Sequence, residues 1–399
     1  MSRKRARRVV CVAPPATQCS ASGDCPLRER PREWAPGISP GGSVSSSFVS
    51  STLRDGIAIL WIDHPPVNAI GSEVRAALGQ ALGCIEHDAS VRGVVVAGTG
   101  RMFSGGGDLR EVGRPDAPGT VRMADLARRI ETFPKPVVAA VRGKCIGGGT
   151  LLSLACHARV GADDALLMLP ELNLGLVPGA GGTQRLPRLV GLEAALDMVA
   201  RARGVDAATA LAQGLLDEVA DDPVAAAVRR ANDIASGRLP WRRTAELSVP
   251  GGVDAGAQRA RYLDVAAQVF PGRDAGPRAI DLILAAAVLP FEQGCEAERE
   301  CFAQLATGPQ ARALLHLFFA ERALAKAADA PDAAARTRIA RRLRAAGEPV
   351  PPYAAWAEAA RACLAEGLAP RAEFIDVIAV KDCGFPALSG GPLHHAGPN

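Results

Sequence analysis

Three features of the 399-residue chain have residue types and spacing suited to chemistry. Two are glycine clusters, Gly105-Gly106-Gly107 and Gly147-Gly148-Gly149, each following an apolar run. Glycine lets the backbone come close to a ligand, because no Cβ stands in front of its N–H. The second cluster opens directly onto Leu151-Leu152-Ser153-Leu154-Ala155, whose spacing predicts a helix, so its amides lie at the positive end of a helix dipole. Two such amides aimed at one oxygen would stabilise an oxyanion. The third feature is Glu171, a lone carboxylate in Leu169-Pro170-Glu171-Leu172-Asn173-Leu174-Gly175. Burial in such a stretch raises a carboxyl pKa toward the range of a general acid/base. Taken singly, glycine clusters are more often plain turns, and a single Glu more often sits at a solvated rim. Neither cluster has the G-x-G-x-x-G spacing of a dinucleotide site, and no G-x-x-x-x-G-K-[ST] loop occurs.

The elements that must position these residues follow from apolar patterning. Ile57 to Ile62 predicts a strand, Glu73 to His87 a helix through Val74, Leu78, Leu82 and Ile85, and Gly93 to Ala97 a second strand. A helix near Val121 to Phe133 and a strand over Pro136 to Val141 follow. This alternation predicts an α/β core beginning at Gly56. After Pro187 the chain reads as almost wholly helical: Ala194 to Asn232, Ala279 to Leu289 and Cys295 to Ala328, with a looser connection over Val249 to Gly276. The Ala/Arg/Pro composition of Ala328 to Pro352 reads as a linker, before a last helix over Tyr353 to Glu366. The organisation expected is a disordered basic tail over 1–50, an α/β domain over 51–240, a helical region over 241–330, and a linker with a C-terminal module over 331–399.

Composition excludes several classes. With 48% apolar and 22% charged residues the chain can bury a large core. Its net charge of +4 is local: residues 1–33 carry eight basic and three acidic side chains, or +5, leaving −1 for the rest. A nucleic-acid partner is therefore not expected. No apolar run reaches the roughly 18 to 20 residues of a membrane span, and no membrane partner is expected. The Arg-rich start reads as a disordered tail or misplaced start codon ahead of an organellar transit segment. Ten cysteines without a CxxC pair or zinc-type spacing point to reduced, mostly buried thiols, no metal, and a cytoplasmic location.

Five motifs occur in order: Pro66-Val67-Asn68-Ala69, Phe103-Ser104-Gly105-Gly106-Gly107-Asp108-Leu109, Gly147-Gly148-Gly149, Pro170-Glu171-Leu172-Asn173-Leu174-Gly175, and Pro178-Gly179-Ala180-Gly181-Gly182-Thr183-Gln184-Arg185-Leu186. Together they resemble the crotonase (enoyl-CoA hydratase/isomerase) superfamily. The resemblance implies a spiral of ββα units with a C-terminal helical region that drives assembly into a homotrimer or hexamer. It implies an acyl-CoA thioester as substrate, with no cofactor beyond the coenzyme A of the substrate itself. It also implies that the N–H groups of Gly107 and Gly148 hold the thioester oxygen, that Glu171 is the acid/base, and that Val67, Asn68, Asp108, Leu109 and Leu151 line the substrate. Arg54, Arg110 and Lys144 are weaker candidates for the phosphates of coenzyme A.

The chain departs from the hydratases of that family at one place. Their first catalytic glutamate lies two residues past the glycine triplet, where this chain has Leu151; their second matches Glu171. Loss of one of two water-activating carboxylates implies weak hydration and leaves a single-glutamate proton shuttle, the arrangement of mitochondrial-type Δ3,Δ2-enoyl-CoA isomerases. Isomerisation of a 3-enoyl-CoA is the expectation, with two alternatives: a weak hydratase or related acyl-CoA lyase or hydrolase, and a non-catalytic acyl-CoA-binding protein. A thermal shift with acyl-CoA but no turnover on enoyl, hydroxyacyl and dienoyl thioesters would mark the last.

Beyond this core, Leu289-Pro290-Phe291-Glu292-Gln293-Gly294, Glu298-Arg299-Glu300 and Phe318-Phe319-Ala320-Glu321-Arg322 are similar to the linker helix of bifunctional hydratase/3-hydroxyacyl-CoA dehydrogenases. Phe374-Ile375-Asp376-Val377, Gly384-Phe385-Pro386 and Gly390-Gly391-Pro392 resemble the end of their dehydrogenase module. Only about fifty residues separate the two patches, too few for a βαβαβ nucleotide fold, and none of His64, His87, His157, His316, His394 and His395 sits in a dehydrogenase motif. NAD-dependent oxidation is not expected.

Overall fold

The computed structural model describes residues 48–251 and 254–397, together with the backbone of residues 7–9. Apart from 7–9 and 48–50, the basic segment expected to be disordered lies outside the described residues. Regular structure begins before Gly56: strand β1 (Arg7–Val9) runs antiparallel to β2 (Val49–Arg54), which forms a hairpin with β3 (Ile57–Ile62). Asp55 and Gly56 both take positive φ, 52° and 76°, the backbone that a two-residue Asp-Gly hairpin needs.

From β3 the sheet continues in parallel through β4 (Gly93–Gly98) and β5 (Val137–Val141). Helices α1 (Ser72–Glu86) and α2 (Met123–Glu131) make the crossovers. Alternate residues of these strands serve two cores. Ala58, Leu60, Ile62, Val94 and Val96 face the main core with α1 and α2; Ile57, Ile59, Val95 and Ala97 face helix α6 (Pro223–Ala235) through Ala227, Val228 and Ile234. Burial on both faces is why β3 reads as an unbroken apolar run.

A short strand precedes the second glycine cluster. β6 (Lys144–Ile146) leads into α3 (Gly148–Ala155), and the chain then returns as β7 (Ala158–Gly161) alongside β5. Strand β8 (Leu166–Met168) pairs with β6 in a second, three-stranded sheet completed by β9 (Val205–Asp206), while β10 (Glu218–Val219) closes the main sheet beside β7. β9, β10 and helix α5 (Ala207–Ala212) lie within the 194–232 stretch expected to be wholly helical.

The helical part holds α4 (Gly182–Ala200), α7 (Ala255–Val269), α8 (Ala275–Ala285), α9 (Phe291–Ala306) and α10 (Pro309–Lys326). Two expectations are corrected here. The connection over Val249 to Gly276 contains α7, started by the Asp254 carboxylate, which accepts from the N–H groups of Gly256 and Ala257. The stretch from Ala328 to Pro352 contains α11 (Ala333–Ala345), capped by Asp332 and burying Ile339 and Leu343 one turn apart.

With α12 (Ala354–Ala365), α13 (Ala372–Cys383) and α14 (Pro392–Ala396), α11 encloses a separate apolar cluster containing Trp356, Phe374, Ile375, Ile378 and Phe385. This unit docks on α10. The buried Asp376 carboxylate accepts from the N–H groups of Leu393 and His394 and is 3.0 Å from His316 Nε2 of α10. The C-terminal motif residues Asp376 and Gly391 meet at this point, where a Cβ on Gly391 would overlap the Asp376 side chain.

The seven described cysteines are free; Cys145, Cys156 and Cys363 are buried and the other four half-buried, so the expectation of mostly buried thiols holds for only three of them. Among the described residues no helix is long and apolar enough to cross a membrane, and no group of three or more His, Cys, Asp or Glu is placed to hold a metal.

Candidate active site

Backbone hydrogen bonds bring the first glycine cluster against the second. Ser104 bridges to Cys145 of β6, with its N–H donating to Lys144 O and its carbonyl accepting from Ile146 N–H. Gly105 N–H donates to Val67 O at 2.7 Å, Gly106 O accepts from Ile70 N–H at 2.8 Å, and Gly106 N–H is taken by Ser104 Oγ at 3.1 Å. Gly107 follows and is exposed. Gly148, at the first position of α3, has an N–H with no intrahelical acceptor available. The two glycines are close: a Cβ on Gly148 would stand 2.8 Å from Gly107 N and 3.2 Å from Met123 Cε. The backbones of Gly107 and Gly148 therefore lie side by side at the positive end of α3.

Gly147 takes φ 48°, a conformation that suits glycine, and brings the chain from β6 into α3. A Cβ there would meet Glu171 Oε1 at 3.2 Å, so the bare glycine admits the carboxylate at the start of α3. Glu171 opens the short 3-10 turn Glu171–Leu174, which ends at Gly175 with φ 69°. Glu171 as a whole residue is only partly buried, yet its Oε2 is shut off from solvent and has no hydrogen-bond partner among the described residues. The state of that oxygen governs ionisation. Burial pushes the carboxyl up to about 8, against the pull of a bond from its own backbone N–H, and the charge of Glu298 adds to the rise.

The other residues singled out from the sequence divide by role. Leu151 is 7% exposed and its Cδ2 lies against Gly182, the first residue of α4. Val67 is 39% exposed and lies over Gly105, on the open side of the loop. Asn68 spends its side chain within the loop: Nδ2 donates to Thr99 O and Met102 O, and Oδ1 accepts from His64 N–H. Its bearing on a ligand runs through the loop it shapes. Asp108 forms a bidentate pair with exposed Arg110, whose hydrogen bonds hold the carboxyl below its ordinary value, and Leu109 beside it is half-buried.

Sequence reasoning missed three neighbours. Met123, at the first turn of α2, approaches the glycine pair, and Phe302 of α9 lies 3.5 Å from where a Gly179 Cβ would be. Glu298 of α9 is buried and binds the loop before α4. In the sequence Glu298 stands out only within the Glu298-Arg299-Glu300 patch that resembles a linker helix, and nothing there assigns its carboxylate a role at the site.

The fold is that of crotonase-type proteins. The structure superposes on an enoyl-CoA hydratase/isomerase from Pseudoalteromonas atlantica T6c with TM-score 0.50 at 25% identity, covering 69% of this chain and 98% of that one. A putative enoyl-CoA hydratase/isomerase from Acinetobacter baumannii gives 0.51 at 24% identity, over 69% of this chain and 100% of that one, and supports the fold alone. Residues 52–271 match the family described as enoyl-CoA hydratase/isomerase, and the chain belongs to that family. It is 42% identical over 179 residues to a probable enoyl-CoA hydratase of Bacillus subtilis, covering 44% of this chain and 69% of the relative. It is 35% identical over 296 residues to the human peroxisomal bifunctional enzyme, covering 74% of this chain and 41% of that protein, and 34% identical to the guinea pig (Cavia porcellus) enzyme. The chain thus spans about two fifths of the length of these bifunctional relatives.

Proposed function

We propose that the chain is an acyl-CoA-transforming enzyme that shifts the double bond of a 3-enoyl-CoA into conjugation with its thioester. Ionised Glu171 takes a proton from C2, and the C–H electron pair moves into the C1–C2 bond. The thioester oxygen, held by the N–H groups of Gly107 and Gly148, takes up the negative charge of the dienolate. Collapse of that charge moves the pair into C2–C3, while the former C3–C4 pair accepts at C4 the proton that Glu171 carried. Atoms and charge balance without a separate cofactor. Assembly of this chain as a homotrimer or hexamer belongs to the same proposal.

The observation carrying this reading is the pairing of Glu171 with an apolar Leu151. Adding water at C3 needs a polar contact at that position, and the buried leucine lying against Gly182 supplies none. Hydration of a 2-enoyl-CoA is the second reading, favoured by the name of the Bacillus relative. Purified protein mixed with a trans-3-enoyl-CoA should produce the absorbance of a conjugated enoyl thioester. Absence of signal above a Glu171→Gln control would overturn the proposal.

A further inference from the structure

Glu298 is a buried carboxylate, 1% exposed, contributed by α9 from outside the glycine and Glu171 motifs. Its Oε1 accepts from Gly181 N–H at 2.6 Å; its Oε2 accepts from Thr183 N–H at 2.9 Å and from Thr183 Oγ1 at 2.7 Å. These bonds satisfy donors at the start of α4 that have no intrahelical acceptor. They also fix the residue between, Gly182, on which Leu151 rests, since a Cβ there would overlap Leu151 Cδ2. Arg185 secures the same loop by donating to Ala180 O. The segment from Pro178 to Thr183 therefore forms a rigid wall behind the site, and α9 reaches it again where Phe302 lies over Gly179.

We propose that Glu298 is a positioning residue of the site, holding in place the 178–183 segment against which Leu151 rests. This rests on the reading of Glu171 as the proton shuttle. Three donors on one carboxylate favour its charged form, whereas burial opposes it and wins, so Glu298 titrates near 7. Ionised Glu298 opposes ionisation of Glu171. The other charged and titratable groups facing Glu298 are few. Arg185 of α4 is paired at 2.7 Å with Glu131 of α2. The thiols of Cys295 and Cys301, on α9 itself, are kept protonated by burial. No cation pairs directly with Glu298 among the described residues, although the Arg185 guanidinium beside the same loop favours its charged form.

The test is a carbon-13 NMR titration of the full chain, with the Glu171 carboxyl signal identified by its loss in Glu171→Gln. In Glu298→Gln the Glu171 midpoint should move to lower pH by roughly half a unit, because one buried like charge is gone. Thr183→Val, which strips one donor from Glu298 and so favours its neutral form, should move the midpoint in the same direction by less. Ile339→Val, in the separate C-terminal core, should lower the melting temperature without moving it. The rise of kcat/KM with pH on a 3-enoyl-CoA should follow the NMR midpoints. Melting temperatures that fall in Glu298→Gln and Thr183→Val while both midpoints stay put would overturn the proposal and leave Glu298 a helix cap. A moved midpoint in a protein that turns over no enoyl-CoA would instead count against the proposed reaction alone.

Discussion

Replacing Gly148 by alanine should remove turnover while leaving the fold in place. The added methyl carbon would lie 2.8 Å from Gly107 N, 3.2 Å from Gly107 Cα and 3.2 Å from Met123 Cε. It thus occupies the space beside Gly107 N into which the proposed reaction brings the thioester oxygen. The first contact is closer than a Cβ can sit, so the 107 segment must move away and the two N–H groups no longer converge. Loss of one oxyanion donor typically costs about 10²- to 10³-fold in kcat, or ~3–4 kcal/mol. Disturbing both places the variant at the upper end of that range or beyond it. The fold has reason to survive: Gly148 is not among the residues with positive φ, and Met123 is a flexible side chain at the rim of the contact. Overpacking of this kind costs about 1–3 kcal/mol. The assay is the initial rate at saturating 3-enoyl-CoA, followed by conjugated-thioester absorbance, alongside thermal unfolding. A variant that unfolds within a few degrees of the parent and keeps kcat within about threefold would refute the placement of the oxyanion between these glycines.

Ionisation of Glu171 sets a pH dependence. As the proton acceptor it must be charged, so with a pKa of about 8 its active fraction at pH 7 is roughly one tenth, and kcat/KM should climb through pH 8; a flat profile from pH 6 to 9 would argue against it. Stability should move the opposite way. A carboxyl whose pKa is higher folded than unfolded binds more protons in the native state, so its contribution is full below about 4.5 and is lost as pH rises toward 8. Denaturant titrations at pH 5 and pH 8 should therefore show a smaller difference for Glu171→Gln than for the parent. Leu151→Glu should gain hydration of 2-enoyl-CoA, detected as 3-hydroxyacyl-CoA, and should lose stability because it buries a second carboxylate by the first; no hydration from a folded variant would contradict the role given to Leu151.

The strands with dense apolar runs were legible from the sequence almost to the residue, β3 and β5 among them, because burial on both faces leaves no ambiguity of phase. β9 and β10 have two residues each, too few for any period to show. Helix α7 hid because its buried face consists of Tyr262 and Ala266 alone, and α11 because alanine and arginine disguise its Ile339 and Leu343 face as a linker. At the candidate site, the two glycine clusters and Glu171 stood out because glycine and a lone carboxylate are conspicuous in apolar surroundings, whereas Gly107 and Gly148 were singled out within them only by the family resemblance. Glu298 was named only as part of a linker-helix patch, since nothing local distinguishes a carboxylate that will cap a helix 115 residues away, as its bonds to Thr183 show, from one facing water. Long-range hydrogen bonding of that kind exists only after the chain has folded.

Product identification from one trans-3-enoyl-CoA and one trans-2-enoyl-CoA, each run against Glu171→Gln, bears most directly on the proposed chemistry. The 3-enoyl thioester should become the 2-enoyl thioester, and the 2-enoyl thioester should yield 3-hydroxyacyl-CoA no faster than the control. Rapid formation of 3-hydroxyacyl-CoA, with no migration of the 3-enoyl double bond, would contradict a single-glutamate shuttle beside Leu151.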